Sequence, residues 1–136
     1  MIRILIILSL FISPSLFCQD KIDNCPHEAS YLAYSLDDWY IPIKYEILEN
    51  FIDLKIKKKD KVELYIRFKI SENLNCEFLD ANNCNLKYKV LTYDEETNSF
   101  EKRESEIEFN FVNGKGKINI QHPNFPLISS DATSVE

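Results

Sequence analysis

Between Lys61 and Ile70 the chain alternates without a break. Val62, Leu64, Ile66, Phe68 and Ile70 are apolar, while Lys61, Glu63, Tyr65, Arg67 and Lys69 are charged or Tyr. A period of two puts one set on each face of a strand, so this segment has to be a half-buried strand. The stretch before it repeats the pattern, with Ile52, Leu54 and Ile56 on one face and Asp53, Lys55 and Lys57 on the other. Folding about Lys59 pairs Ile56 with Val62, Leu54 with Leu64 and Ile52 with Ile66, which keeps every apolar side chain on one face.

A second hairpin carries its own turn chemistry. Asn113-Gly114 is the pair favoured in a type I′ turn, where both central residues take positive φ. Pairing outward sets Phe111 against Gly116, Phe109 against Ile118 and Ile107 against Ile120. Further strands follow from Ile43, Tyr45 and Ile47, and from Leu86, Tyr88 and Val90, before the polar loop Asp94 to Ser99. Strands recurring about every ten residues predict a mostly β fold, an antiparallel β-sandwich of immunoglobulin-like or similar kind, with a small barrel as the related option. One helix is expected over His27 to Leu36, where Ala29, Leu32, Ala33 and Leu36 fall at i, i+3, i+4 and i+7; Tyr31 and Tyr34 fit a strand as well. The organisation expected is a leader over 1–18, an N-terminal segment over 19–42, the β domain over 43–121, and a tail over 122–136 whose last eight residues fray.

The leader reading rests on Arg3 followed by the apolar run Ile4 to Ile12, with Ser13-Pro14 before a polar boundary. That is the export pattern, with cleavage expected after Cys18; the run to Phe17 is shorter than the ~20 apolar residues of a spanning helix. A lipidated Cys18 is the rival, disfavoured by bulky Phe17 where a lipoprotein signal needs a small residue. One of the 16 Lys and Arg and none of the 22 Asp and Glu lie in the leader, leaving residues 19–136 with a net charge of −7. Such a surface argues against nucleic acid as the main partner.

In an exported chain Cys76 and Cys84 are the expected disulfide, closing a short turn-rich loop, with a Cys25 bridge to either as the alternative. A zinc site from Cys25, His27, Cys76 and Cys84 is the weaker reading, because Cys76 and Cys84 are too far apart for a knuckle. Gly114 and Gly116 are the only glycines and both serve one hairpin, which excludes phosphate-cradling loops. No metal or other cofactor is expected, and no catalytic residue is assigned to His27, His122 or the serines, which carry no local signature.

Two features suit recognition. Residues 51–70 hold Lys55, Lys57, Lys58, Lys59, Lys61, Arg67 and Lys69, against a preponderance of acids over 93–108. Such runs either pair across a sheet, protect an edge strand, or meet an anionic surface through the Lys57 to Lys61 hairpin. Tyr31, Tyr34, Trp39 and Tyr40 cluster before the first clear strand. Trp39, Tyr40, Lys57, Lys58 and Lys59 are therefore the expected partner contacts. The function expected is an exported, non-catalytic protein-binding module of inhibitor or immunity type. A carrier of an apolar ligand in a barrel, or a hydrolase, are the alternatives.

Overall fold

In a computed structural model the described residues are 24–34, 42–58 and 61–135. They form eight antiparallel strands in chain order: β1 (Ala29–Tyr34), β2 (Pro42–Ile47), β3 (Phe51–Lys58), β4 (Lys61–Asp80), β5 (Asn83–Asp94), β6 (Ser99–Val112), β7 (Lys115–Gln121) and β8 (Ile128–Val135). Each strand pairs with the next, and β8 pairs with β1, so the meander closes into a barrel. The expected leader over 1–18, with Cys18, and the turn at Lys59 lie outside the described residues. Among those described, no helix is long and apolar enough to cross a membrane.

Inward positions follow the alternation. Cys84, Leu86, Tyr88 and Val90 of β5 are buried, as are Ile107, Phe109 and Phe111 of β6. Phe109 sits among three tyrosine rings, with centroids 5.3 Å from Tyr31, 6.2 Å from Tyr45 and 6.4 Å from Tyr88, and Tyr31 stacks on Phe111 at 4.3 Å. Eight strands enclose just enough room for such side chains to fill, so aromatic volume sets the bore here. The burial also pushes the Tyr45 phenol up to about 12. Outside, the wall is polar: Lys87 meets Glu106 at 3.5 Å and Lys89 meets Glu72 at 3.7 Å. A lipid-spanning barrel carries the reverse arrangement, apolar outward.

The second hairpin forms in the expected register, Phe111 opposite Gly116, Phe109 opposite Ile118 and Ile107 opposite Ile120. Asn113 (φ 54°) and Gly114 (φ 80°) make its turn. A Cβ on Gly116 would lie 1.7 Å from the Asn110 carbonyl oxygen, so only glycine fits opposite Phe111. The β3–β4 hairpin differs from expectation by two residues: Ile52 pairs with Phe68, Leu54 with Ile66 and Ile56 with Leu64; the pairs Lys57–Val62 and Lys58–Lys61 next to the turn are displaced by one, and a bulge between Ile56 and Lys57 adds the second. An even slip leaves every side chain on its face, which is why the apolar pattern could not detect it.

Three expectations need correction. Ala29–Tyr34 is a strand, not a helix; Ala29, Tyr31 and Ala33 are buried in alternation, and pairing on both edges outweighs a short helix that is marginal in isolation. The sheet does not split into a sandwich, because the presumed tail supplies β8, which bridges β7 and β1. Finally, the disulfide joins Cys25 to Cys76, and Cys84 is a buried free thiol. The β4–β5 ladder sets Leu86 against Cys76 and Phe78 against Cys84. Cys76 and Cys84 are then diagonal neighbours, about 7–8 Å apart, beyond the usual Cα separation of a disulfide. Cys25, by contrast, has its Cα 5.0 Å from that of Cys76.

That bridge fastens the N-terminal segment over one rim, where Asn24 Nδ2 donates to the Phe78 carbonyl at 2.6 Å and Pro26 is buried. The same rim is knitted by Gly114 N–H to Asn82 O (3.0 Å), Ser134 N–H to Gly114 O (2.9 Å) and a Ser134 hydroxyl contact with the Asn82 side chain. The opposite rim collects the ends Tyr34, Pro42, Lys58, Lys61, Asp94, Ser99, Gln121 and Ile128. Since the bridge spans 51 residues, Cys76→Ala is expected to cost about 4 kcal/mol on the chain-entropy model. Cys84→Ala should cost only about 1–2 kcal/mol, from a small cavity and the lost Tyr31 contact. Urea unfolding midpoints of the two variants check this, and the reverse order would point to a bridge through Cys84.

Candidate functional site

On the outer wall of β3 and β4 the register brings charges face to face. Phe51, Asp53 and Lys55 lie opposite Lys69, Arg67 and Tyr65. Arg67 grips Asp53 with a fork, Nε to Oδ1 at 2.9 Å and Nη2 to Oδ2 at 3.0 Å, and the Tyr65 hydroxyl donates to Oδ2 at 3.0 Å. The two side chains cover the carboxylate so completely that Asp53, on the outside of a barrel, is only 2% exposed. A carboxylate without water must be saturated with donors, and here both oxygens are.

The fork also orients Arg67. Its guanidinium carbon lies 4.6 Å from the Phe51 ring centroid and 5.8 Å from that of Tyr65, a cation held against two aromatic faces. The hydrogen bonds to Asp53 push its pKa higher still, so the charge is permanent. Burial first, and then the bond to Asp53, push the Tyr65 phenol up, so it stays a donor.

Across from this group stands the end of the β5–β6 hairpin. Tyr93 and Phe100 pair across the strands, their rings edge to face at 5.2 Å. The Tyr93 hydroxyl donates to Asn98 Oδ1 at 2.8 Å, and Asn98 takes the positive φ (55°) of the turn. Lys69 Nζ lies 5.9 Å from the Phe100 centroid. Between the two banks runs a cleft of about 580 Å³, lined by Phe51, Tyr65, Ile66, Arg67, Tyr93, Glu95 and Phe100. Its volume is that of a site for one or two large side chains or a small molecule.

Next to it a second polar group braces β2. Glu46 accepts from Lys44 at 3.1 Å and Lys55 at 3.3 Å. Burial raises the Glu46 carboxyl, but the two ammonium groups outweigh it and hold the group below its ordinary 4.5. The basic run over 51–70 is thus partly spent within its own sheet, through Lys55 and Arg67, rather than on the acidic run over 93–108.

Of the partner contacts expected from sequence, Trp39, Tyr40 and Lys59 lie outside the described residues. Lys57 and Lys58 end β3 at the rim where β4 begins, and their side chains are outside the description too. The histidines are far apart in the fold. His27 is exposed, 4.0 Å from Glu49. His122 lies at the other rim, with Nε2 3.4 Å from Glu101 Oε2 and Nδ1 accepting the Asn124 N–H at 3.1 Å. Inside the barrel, the Tyr31 hydroxyl and Cys84 Sγ are 3.1 Å apart, and the Tyr88 and Ser105 hydroxyls have no partner among the described residues. Burial, before any other cause, pushes both the Tyr31 phenol and the Cys84 thiol up, which keeps that thiol protonated and inert.

Sequence reasoning does not single out Phe51, Asp53, Tyr65, Tyr93 and Phe100 as contacts, and Arg67 enters it only as one member of the basic run. One signal was present: Tyr65 is the aromatic exception on an otherwise charged face, and Phe51 and Tyr93 have the same outward parity. Comparison with protein-family models, curated proteins and solved structures found no match for the chain.

Removing the Arg67 fork strands Asp53. Arg67→Met is expected to destabilise by about 2–3 kcal/mol, at the low end for a buried pair because Arg67 is more than a third exposed. Adding Asp53→Asn should cost less than the sum of the two single changes, read from urea unfolding as a double-mutant cycle. For Glu46, a folded pKa below the unfolded value stabilises at neutral pH, and that contribution is lost as pH falls from about 4.5 through the folded pKa. Glu46→Gln should therefore flatten the stability–pH profile below pH 4.5 while lowering stability above it. A variant profile parallel to the parent would contradict the assignment.

Proposed function

We propose that the chain is an exported, non-catalytic protein-binding module that docks its partner on the cleft between β4 and the β5–β6 turn. One observation carries this reading: an arginine locked by Asp53 between Phe51 and Tyr65, facing a second aromatic pair, Tyr93 and Phe100. Tyr and Arg are the residue types that anchor protein interfaces, because each offers a large contact area with a polar end. Here the anchors are held in place before any partner arrives, so little conformational entropy remains to be lost on binding. An inhibitor or immunity-type role suits so small and acidic a module. Export rests on the leader over 1–18, and the Cys25–Cys76 bridge fits an oxidising compartment.

A second reading has its own observation. Ile43, Ile56 and Ile66 face inward yet are only half-buried, and the Tyr88 and Ser105 hydroxyls inside the wall have no partner among the described residues. An eight-stranded barrel can hold one small apolar ligand, and these groups would line and orient it.

The readings separate by mutation. Under the first, a protein retained from the native extract should bind Tyr93→Ala and Phe100→Ala at least tenfold more weakly by calorimetry, with Lys117→Ala unchanged. Binding that ignores both cleft variants would refute the cleft. A small molecule released on denaturation, with no protein retained, would favour the carrier.

A further inference from the structure

The cleft opens onto a length of backbone that lacks a neighbour. β4 pairs with β3 from Lys61 to Lys69, but with β5 only from Phe68 onward. From Lys61 to Ile66 the side of β4 turned away from β3 has no pairing partner among the described residues. The ladder fixes which groups face that side. Ile70 N–H donates to the Asn50 carbonyl, so Ile70 bonds toward β3. In an antiparallel pair the bonded residues alternate, and no register shift intervenes back to Ile56 and Leu64. Phe68, Ile66 and Leu64 therefore bond toward β3, while Tyr65 turns both its N–H and its C=O toward the cleft.

Accordingly, we infer that β4 accepts an added strand at Tyr65: an extended segment of the partner protein pairs with this edge and lays a large apolar side chain against Tyr93 and Phe100. The inference rests on the protein-binding reading and specifies its mode. Unpaired donors and acceptors of an edge supply affinity, and a side-chain pocket beside it supplies selectivity. Charge complementarity fixes the rest of the occupant. Arg67 is neutralised by Asp53, whereas Lys69 of β4 stands beside Phe100 and supplies the positive charge, so a carboxylate in the segment belongs next to Lys69. Glu95 lines the other bank and disfavours one there.

A library of linear twelve-residue peptides displayed on phage, panned against the protein, provides the probe. The best-enriched peptide is then synthesised and titrated into the isotope-labelled protein. The expected sequence carries an aromatic or large aliphatic residue with an acidic neighbour. On binding, amide exchange at Tyr65 should slow at least tenfold. N-methylation of alternate peptide amides should weaken binding at least tenfold, with the intervening positions tolerant, and Phe100→Ala should weaken it similarly. A peptide that loses affinity with Phe100→Ala, yet leaves Tyr65 exchange unchanged and tolerates N-methylation everywhere, overturns strand addition and leaves the protein-binding reading standing. Failure to enrich any peptide sensitive to Phe100→Ala overturns strand addition and removes the cleft as a docking site.

Discussion

Ring closure by β8 is the constraint on which the remaining architecture depends. Seven strands of this length would leave β1 and β7 as open edges and expose one side of the aromatic cluster. The segment Ile128–Val135 prevents that by pairing with both. It does so with little apolar side chain: within it Ala132 is the buried residue, beside Ala33 of β1 and Gly116 of β7. Small residues at this seam allow the backbones to approach while Tyr31, Phe109 and Phe111 fill the bore. Backbone pairing, rather than side-chain hydrophobicity, joins the first strand to the last.

Closure also explains where recognition can occur. A complete ring has no free edges, except where neighbouring strands differ in length. β4, at 20 residues, outruns both of its neighbours. At one rim the excess is covered by the N-terminal segment through Cys25–Cys76 and Asn24. At the other the excess is flanked by Tyr65, Arg67, Tyr93 and Phe100. The Asp53 fork makes that wall stiff, because a desolvated carboxylate holds its donors in fixed geometry. Rigidity and an edge unpaired among the described residues thus coincide at one place, which is the physical basis of the function proposed above.

Local chemistry decided what could be read in advance. The Asn113-Gly114 turn fixes its own register, and the chain followed it residue by residue. The Lys61–Ile70 alternation fixes faces but not register, so the β3–β4 pairing was displaced by two with its faces intact. β1 was obscured because Ala29 and Ala33 satisfy both periods while Leu32 fits the helical one alone, and only non-local pairing decides between them. β8 was obscured because Ser129, Ser130, Asp131, Thr133 and Ser134 carry no apolar signal. The disulfide depended on a diagonal offset that loop length cannot express. The cleft depended on Asp53 meeting Arg67, a consequence of the same two-residue register.

Native-state hydrogen exchange of the free protein tests the account most directly, since it reads closure and the open edge together. Amides of Ala33 and Ala132 should exchange only through global unfolding, and Ile66 should exchange slowly while adjacent Tyr65 exchanges orders of magnitude faster. Rapid exchange throughout Ile128–Val135, or equal protection at Tyr65 and Ile66, would contradict it.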